Sequence, residues 1–245
     1  MHTFIFLFEQ MAKKARNTPT VDTAPYSDGT ESLRDVQKNF EKNQKVIFGI
    51  VIAVVVLVAG VFGYQQFIQK PNEEKAATAI FHTQKWFESD TAMNLVLNGD
   101  GQNGGALSVI KKYGGTPSGN LARYYAGVAY LKLGQPEEAV KHLEKFDGEG
   151  TVFQYLAYGA MGSAYLDMNN PAKAIEYYKK AVSGNEKDNF TNPYFLKMAG
   201  QASELNGKTE DAIKFYQEIK TKYPLSMEAR DIDKYLARLG TLTTD

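Results

Sequence analysis

The stretch GVAYLKLGQPEEAVKHLEKF, residues 127–146, reads as a helix, a turn and a second helix. Apolar residues recur at three- and four-residue steps on both sides of LGQP, and Gly134 and Pro136 stand where one helix must stop and another begin. Glu137 and Glu138 fall in the first turn of the second helix, where acidic side chains suit the helix dipole. The layout returns as GSAYLDMNNPAKAIEYYKKA, residues 162–181, and as GQASELNGKTEDAIKFYQEI, residues 200–219. Each copy opens on a glycine (Gly127, Gly162, Gly200), followed three residues later by Tyr130, Tyr165 or Ser203. An alanine comes nine residues on, at Ala139, Ala174 and Ala212, and a large residue four after that, at Leu143, Tyr178 and Tyr216. The copies stand 35 and then 38 residues apart.

A small residue on each of two antiparallel helices lets their backbones approach closely, and the bulky residue one turn along fills the space beside it. One such pair cannot bury its apolar face alone, so successive pairs stack into a solenoid. These residues resemble the tetratricopeptide repeat, a unit of ~34 residues with a Gly-x-x-Tyr, Ala, aromatic signature. The resemblance covers residues 120–226, and Pro224 matches the proline that closes the pattern. Ser203 departs from it, as does the lack of the usual early tryptophan.

The resemblance implies an all-α chain in which the first helix of each pair lines a concave, peptide-binding face. Projected onto this sequence, it turns Tyr124, Val128, Leu131, Gly159, Ser163, Leu166, Tyr194, Lys197 and Gln201 into the groove. One end would be apolar and aromatic and the other polar, which suits an extended or helical peptide. Family members that clamp a chaperone's terminal carboxylate use Lys and Asn where this chain has Tyr124 and Val128, so that clamp is not expected. Residues 72–118 read as a degenerate leading unit, with Trp86 on an amphipathic helix and GALSVIKKYGGTP as its second helix. The intervening NGDGQNGG lacks the alternating acidic ligands and closing Glu of a calcium loop. Residues 227–245 read as a capping helix and tail.

Upstream, KVIFGIVIAVVVLVAGVFGYQQFIQK, residues 45–70, carries no charge between Lys45 and Lys70. The ~30 Å hydrocarbon core needs about 20 apolar residues, and Val46 to Tyr64 supplies nineteen. A short run of such β-branched residues would read as a strand. At this length, with every backbone group to be paired inside lipid, it reads as a transmembrane helix over residues 46–68. A signal peptide would have a core of ~7–15 residues near the start and a small-residue cleavage site, so the segment is expected to stay as an anchor. Tyr64 and Phe67 sit at the interface edge, and Gly49, Ala53, Gly60 and Gly63 offer a small-residue face for a helix partner. Lys13, Lys14, Arg16, Arg34, Lys38, Lys42 and Lys45 outnumber Lys70, Lys75 and Lys85, which places the N-terminus in the cytoplasm and the C-terminal bulk outside. Residues 1–45 are expected to form a disordered, charged tail, irregular over NTPTVDTAPYSDGTES, with a short charged helix over Ser32–Lys45. MHTFIFLFEQ is too short to span a membrane, and translation is read as starting at either Met1 or Met11.

Twenty-eight basic and twenty-eight acidic residues cancel, which gives no reason to expect a nucleic-acid partner. The absence of cysteine excludes disulfides and thiol chemistry. His2, His82 and His142 are scattered, His82 and His142 reading as surface or partly buried residues, so no catalytic residue, metal site or cofactor is expected. Asn189–Phe190–Thr191 is a glycosylation sequon only in a host that uses it.

One membrane span, a short cytoplasmic tail and a small extracytoplasmic repeat domain resemble the YfgM-like ancillary subunits of the SecYEG translocon. The segment YGGTPSGNLARYYAGVAYLKLGQPEEAV, residues 113–140, reinforces the likeness. It implies a single-pass protein of the bacterial inner membrane with a periplasmic domain. Its expected partners are protein or peptide, the SecYEG translocon and periplasmic chaperones, with the lipid bilayer meeting residues 46–68. A scaffold for an envelope or cell-division complex, and a tether for an enzyme partner, remain open beside it.

Overall fold

The structure, a computed structural model, describes residues 29–89, 92–182 and 188–241. Of the tail read over residues 1–45, residues 1–28, the apolar start among them, lie outside the described residues. Among those described, the elements are helical: α1 (Gly29–Tyr64), a π-helical turn (Gln65–Gln69), α2 (Lys70–Glu88), α3 (Met93–Asn98), α4 (Ala106–Tyr113), α5 (Pro117–Lys132), α6 (Pro136–Leu143), α7 (Val152–Asp167), α8 (Pro171–Val182), α9 (Thr191–Leu205), α10 (Thr209–Lys222) and α11 (Ala229–Arg238). A single isolated bridge joins Gly99 to Gly104. The chain divides into two units, Met1–Gly60 and Val61–Asp245.

In the first unit α1 begins at Gly29, so part of the segment read as a disordered tail is helical, and the helix is longer than the expected Ser32–Lys45 piece. Its apolar side chains from Val46 to Val58 that are described are all exposed, about half or more of each surface open. Among the described residues, one helical run, Gln44–Glu88, is long and apolar enough to cross a membrane.

In the second unit α2 is fastened to the start of α5. Glu73 accepts the Ser118 backbone N–H (3.0 Å) and the Ser118 hydroxyl (2.6 Å). Thr116 caps the same helix by accepting the Gly119 N–H at 3.1 Å, and Pro117 occupies a first-turn position where its missing donor costs nothing. The Asn98–Gly105 loop turns on Asp100, whose carboxylate accepts the N–H groups of Gln102 (2.9 Å) and Asn103 (2.6 Å). These bonds hold that carboxyl below its usual range.

The pairs α5–α6, α7–α8 and α9–α10 share one contact. A methyl group added at Gly127 would lie 2.5 Å from Leu143, at Gly162 2.7 Å from the Tyr178 ring, and at Gly200 2.3 Å from the Tyr216 ring. Ala139, Ala174 and Ala212, on the facing helices, are fully buried. The turns also match. Gln135, Asn170 and Lys208 donate their N–H groups to the carbonyls of Tyr130 (2.9 Å), Tyr165 (2.8 Å) and Ser203 (2.8 Å). Those bonds need a left-handed residue just past the helix end, supplied by Gly134, Asn169 and Gly207 at φ 71°, 56° and 70°. Because the acceptor is a backbone carbonyl, Ser203 replaces tyrosine without loss of the turn. Its own hydroxyl, fully buried, donates to the Ala199 carbonyl at 2.8 Å.

The last pair is closed by α11, which buries Ile232 and Leu236 and lays Tyr235 against Tyr216 with centroids 5.2 Å apart. Glu204 accepts the Tyr216 hydroxyl at 2.6 Å and an Arg238 guanidinium nitrogen at 2.7 and 2.8 Å. One carboxylate thereby joins α9, α10 and α11.

Two stability measurements follow from this packing. Alanine is the better helix former by about 1 kcal/mol, yet Gly200→Ala is expected to destabilise by about 1–3 kcal/mol in urea unfolding, because its methyl meets the Tyr216 ring. Gly115→Ala, facing open space, is expected to change stability by less than about 0.5 kcal/mol. Equal effects would remove the close approach as the cause.

His142 stacks on Tyr130 (5.3 Å, 23°) and buries Nδ1, which has no hydrogen-bond partner among the described residues. Burial lowers its pKa, with Arg123, Lys145 and Lys141 acting in the same direction against Glu138. The unfolded chain therefore takes the proton first. Stability present above about pH 6.5 is lost as pH falls toward the lower folded value. The urea midpoint of the wild type should fall more than that of His142→Phe between about pH 7.5 and about pH 5.5. Parallel curves would exclude His142 as a source of the loss.

Candidate docking groove

The nine residues assigned to the groove do not form one open surface. Tyr124 is only 8 % exposed. Its ring lies 5.2–6.4 Å from those of Phe153, Phe146, Tyr125 and Phe87, and burial pushes its hydroxyl up to about 12. Gly159 is buried as well, since a methyl group there would lie 2.1 Å from the Phe195 ring. Both residues are buried in the core, where side chains of neighbouring elements pack on them. The helix periodicity that turns them inward does not show that large aromatic side chains arrive from the next element and cover them.

Ser163 donates to the Gly159 carbonyl at 3.2 Å and meets the Tyr178 hydroxyl at 3.1 Å, so its polarity is satisfied within its own pair. Burial pushes that tyrosine up to about 12. Val128, Leu131 and Leu166 are half-buried against the two adjoining clusters of core side chains. Lys197 and Gln201, the expected polar end, lie beneath Tyr235 of α11. The Lys197 ammonium stands 5.3 Å from the ring centroid, and the Gln201 amide donates to the hydroxyl at 3.5 Å.

Tyr194 is the member left open, at 47 % exposed. It lines a cleft of ≈ 440 Å³ with Leu156, Phe190, Phe195, Leu225 and Met227. Phe190, Leu225 and Met227 are 83 %, 97 % and 72 % exposed, high values for large apolar side chains gathered at one cleft. Local hydrogen bonds hold them there. Asp188 accepts the N–H groups of Phe190 and Thr191, both at 2.9 Å, which sets Phe190 outward just ahead of α9. Ser226 donates its N–H to the Tyr223 carbonyl (3.0 Å) and accepts the Ala229 N–H (3.1 Å), fixing the turn that carries Leu225 and Met227.

The helix-based projection misses Phe190, Leu225 and Met227 because all three lie in turns. The available signal was single large apolar residues set among turn formers, in DNFT and YPLSM. Among the described residues, no group of three or more His, Asp or Glu side chains is placed to hold a metal ion. Substitution separates core from cleft. Tyr124→Ala is expected to destabilise by about 3–5 kcal/mol, and Tyr194→Ala by less than about 1 kcal/mol, in the same unfolding assay. A reversed order would return Tyr124 to the surface.

No curated protein matches the chain. Sequence profiles of the tetratricopeptide repeat match residues 121–147, 155–188 and 195–226. These stretches coincide with the pairs α5–α6, α7–α8 and α9–α10. The chain therefore carries tetratricopeptide repeats over the helix pairs built on Gly127, Gly162 and Gly200, and such repeats imply a protein–protein interaction module.

Proposed function

We propose that the protein is a membrane-anchored docking module that holds a protein partner in the apolar cleft around Tyr194. The observation that carries this reading is the exposure of Phe190, Leu225 and Met227 around a cleft of ≈ 440 Å³ in a tetratricopeptide array. Exposed apolar surface of this kind, rimmed by Asn189, Thr191 and Glu228, suits an apolar peptide segment. The exposed apolar side chains from Val46 to Val58 support an anchor in the bilayer, and the excess of Lys and Arg before them supports an N-terminus in the cytoplasm. Confinement to the membrane plane raises the effective concentration of the module for partners in that plane.

On the resemblance to ancillary translocon subunits, those partners are the SecYEG translocon and periplasmic chaperones at the bacterial inner membrane. The domain arrangement proposed with it is a tail over residues 1–45, an anchor over 46–68, a leading unit over 72–118, three repeats over 120–226 and a closing helix after them.

The test is crosslinking capture from native membranes, with the full-length chain and a Phe190→Ser/Leu225→Ser/Met227→Ser variant. Translocon subunits or exported chaperones are expected with the wild type and lost with the variant. Division or envelope-assembly proteins in their place would move the reading to a scaffold. Identical captures would remove the cleft as the docking surface.

A further inference from the structure

A second cleft, of ≈ 650 Å³, lies where the end of α6, the loop 147–150, the first turns of α7 and the side of α8 meet. It shares no lining residue with the Tyr194 cleft. Its floor is apolar, made by the buried Leu143, Phe146 and Met161. Its walls carry three half-buried tyrosines, Tyr155, Tyr158 and Tyr177. Its rim carries Glu144, Asp147 and Glu149, all exposed. Among the described residues none of these three carboxylates forms an ion pair.

The wall beside the rim is pinned in place. Asn120 donates its amide to the Asp147 carbonyl (2.6 Å) and accepts the Asp147 N–H (3.0 Å), tying the loop back to α5. Gln154 accepts the Gly148 N–H at 2.9 Å, and the Thr151 hydroxyl donates to the Gly148 carbonyl at 2.7 Å. A ligand would meet a surface already ordered, which lowers the entropy cost of docking.

The chain shows what these rings attract. The Lys180 ammonium stands 4.6 Å from the Tyr177 centroid while pairing with Glu176 at 2.8 Å. Tyr177 stacks on Tyr165 at 5.2 Å, and the Lys173 ammonium stands 4.8 Å from that second ring. Tyrosine faces next to carboxylates suit a cationic side chain. A guanidinium fits best, because its plane stacks on rings while its forked donors meet carboxylate oxygens. The protein as a whole is neutral, so the acidic rim is a local feature and not part of a general negative field.

We propose that this cleft docks a basic segment of a protein partner, with an arginine side chain laid along Tyr155 and Tyr158 and its guanidinium directed to the carboxylate rim. The site goes beyond the Tyr194 cleft, because it recognises charge where that cleft recognises apolar surface. A partner with an apolar stretch and a separate basic stretch would engage both.

The test uses the full chain in detergent micelles and fluorescence anisotropy of a labelled Gly/Ser peptide containing arginines, beside its neutral citrulline twin. The arginine peptide is expected to bind about tenfold more tightly than the twin and to weaken with added salt. Glu144→Gln/Glu149→Gln should weaken it about tenfold, and Tyr155→Ser several-fold, each with an unchanged thermal midpoint. Phe190→Ser/Leu225→Ser should leave it unchanged. Equal binding of the twin, or wild-type binding by the Glu144→Gln/Glu149→Gln variant, would overturn the proposal. Full affinity in Tyr155→Ser would reduce the effect to unspecific charge and overturn it too. Acid-rim-dependent self-association of the chain in place of peptide binding would identify a second copy as the occupant and overturn the partner assignment.

Discussion

Everything in the repeat domain depends on one contact, the bulky side chain of a second helix resting on the bare backbone of a glycine in the first. At Gly127, Gly162 and Gly200 the space a methyl group would need is filled by Leu143, Tyr178 and Tyr216. The close approach brings the fully buried Ala139, Ala174 and Ala212 against the opposing helix, and the tight turn then follows from where the two helices end. Interiors packed to crystal density do not absorb an extra carbon without moving a neighbour, so these positions tolerate little. Between pairs the logic repeats once, at Gly159 beneath Phe195.

A solenoid of this kind has two open ends, and each is handled by side-chain chemistry as well as apolar cover. At the start, Glu73 of α2 satisfies donors at the head of α5, which fastens the leading helix across 45 residues of sequence. At the finish, Glu204 gathers Tyr216 and Arg238 while Tyr235 covers Lys197 and Gln201. The closing helix thus removes from solvent part of the surface that the repeat pattern by itself would leave as groove. What stays open is displaced toward the turns, where Phe190, Leu225 and Met227 gather beside Tyr194.

The two clefts differ in chemistry although the same helix pairs supply them. Around Tyr194 the exposed groups are apolar, and their local hydrogen bonds fix the loops without using the rings. Around Tyr155, Tyr158 and Tyr177 the rings stand beside carboxylates that form no ion pair among the described residues, while one wall already holds the chain's own Lys180. Stacked helices present one face from their first members and another from the joins between pairs, so a short array can carry two recognition surfaces without added domains.

The sequence by itself determined the helix pairs, their order and their register, because the Gly, Ala and bulky spacing is a local pattern and each pair is a local structure. It also determined the apolar run over residues 46–64, since length and composition alone set that property. The tertiary structure decided which inward positions are surface. Tyr124, Gly159 and Lys197 each stand three residues before their unit's glycine, yet Phe153 and Phe195 cover the first two, and the Tyr235 ring of the closing helix lies over the third. It also decided that three turn residues belong to the cleft and that α11 closes over Lys197. The physical reason is the same in each case. Periodicity reports the direction in which a side chain leaves its own helix, whereas burial depends on side chains that arrive from elsewhere in the chain.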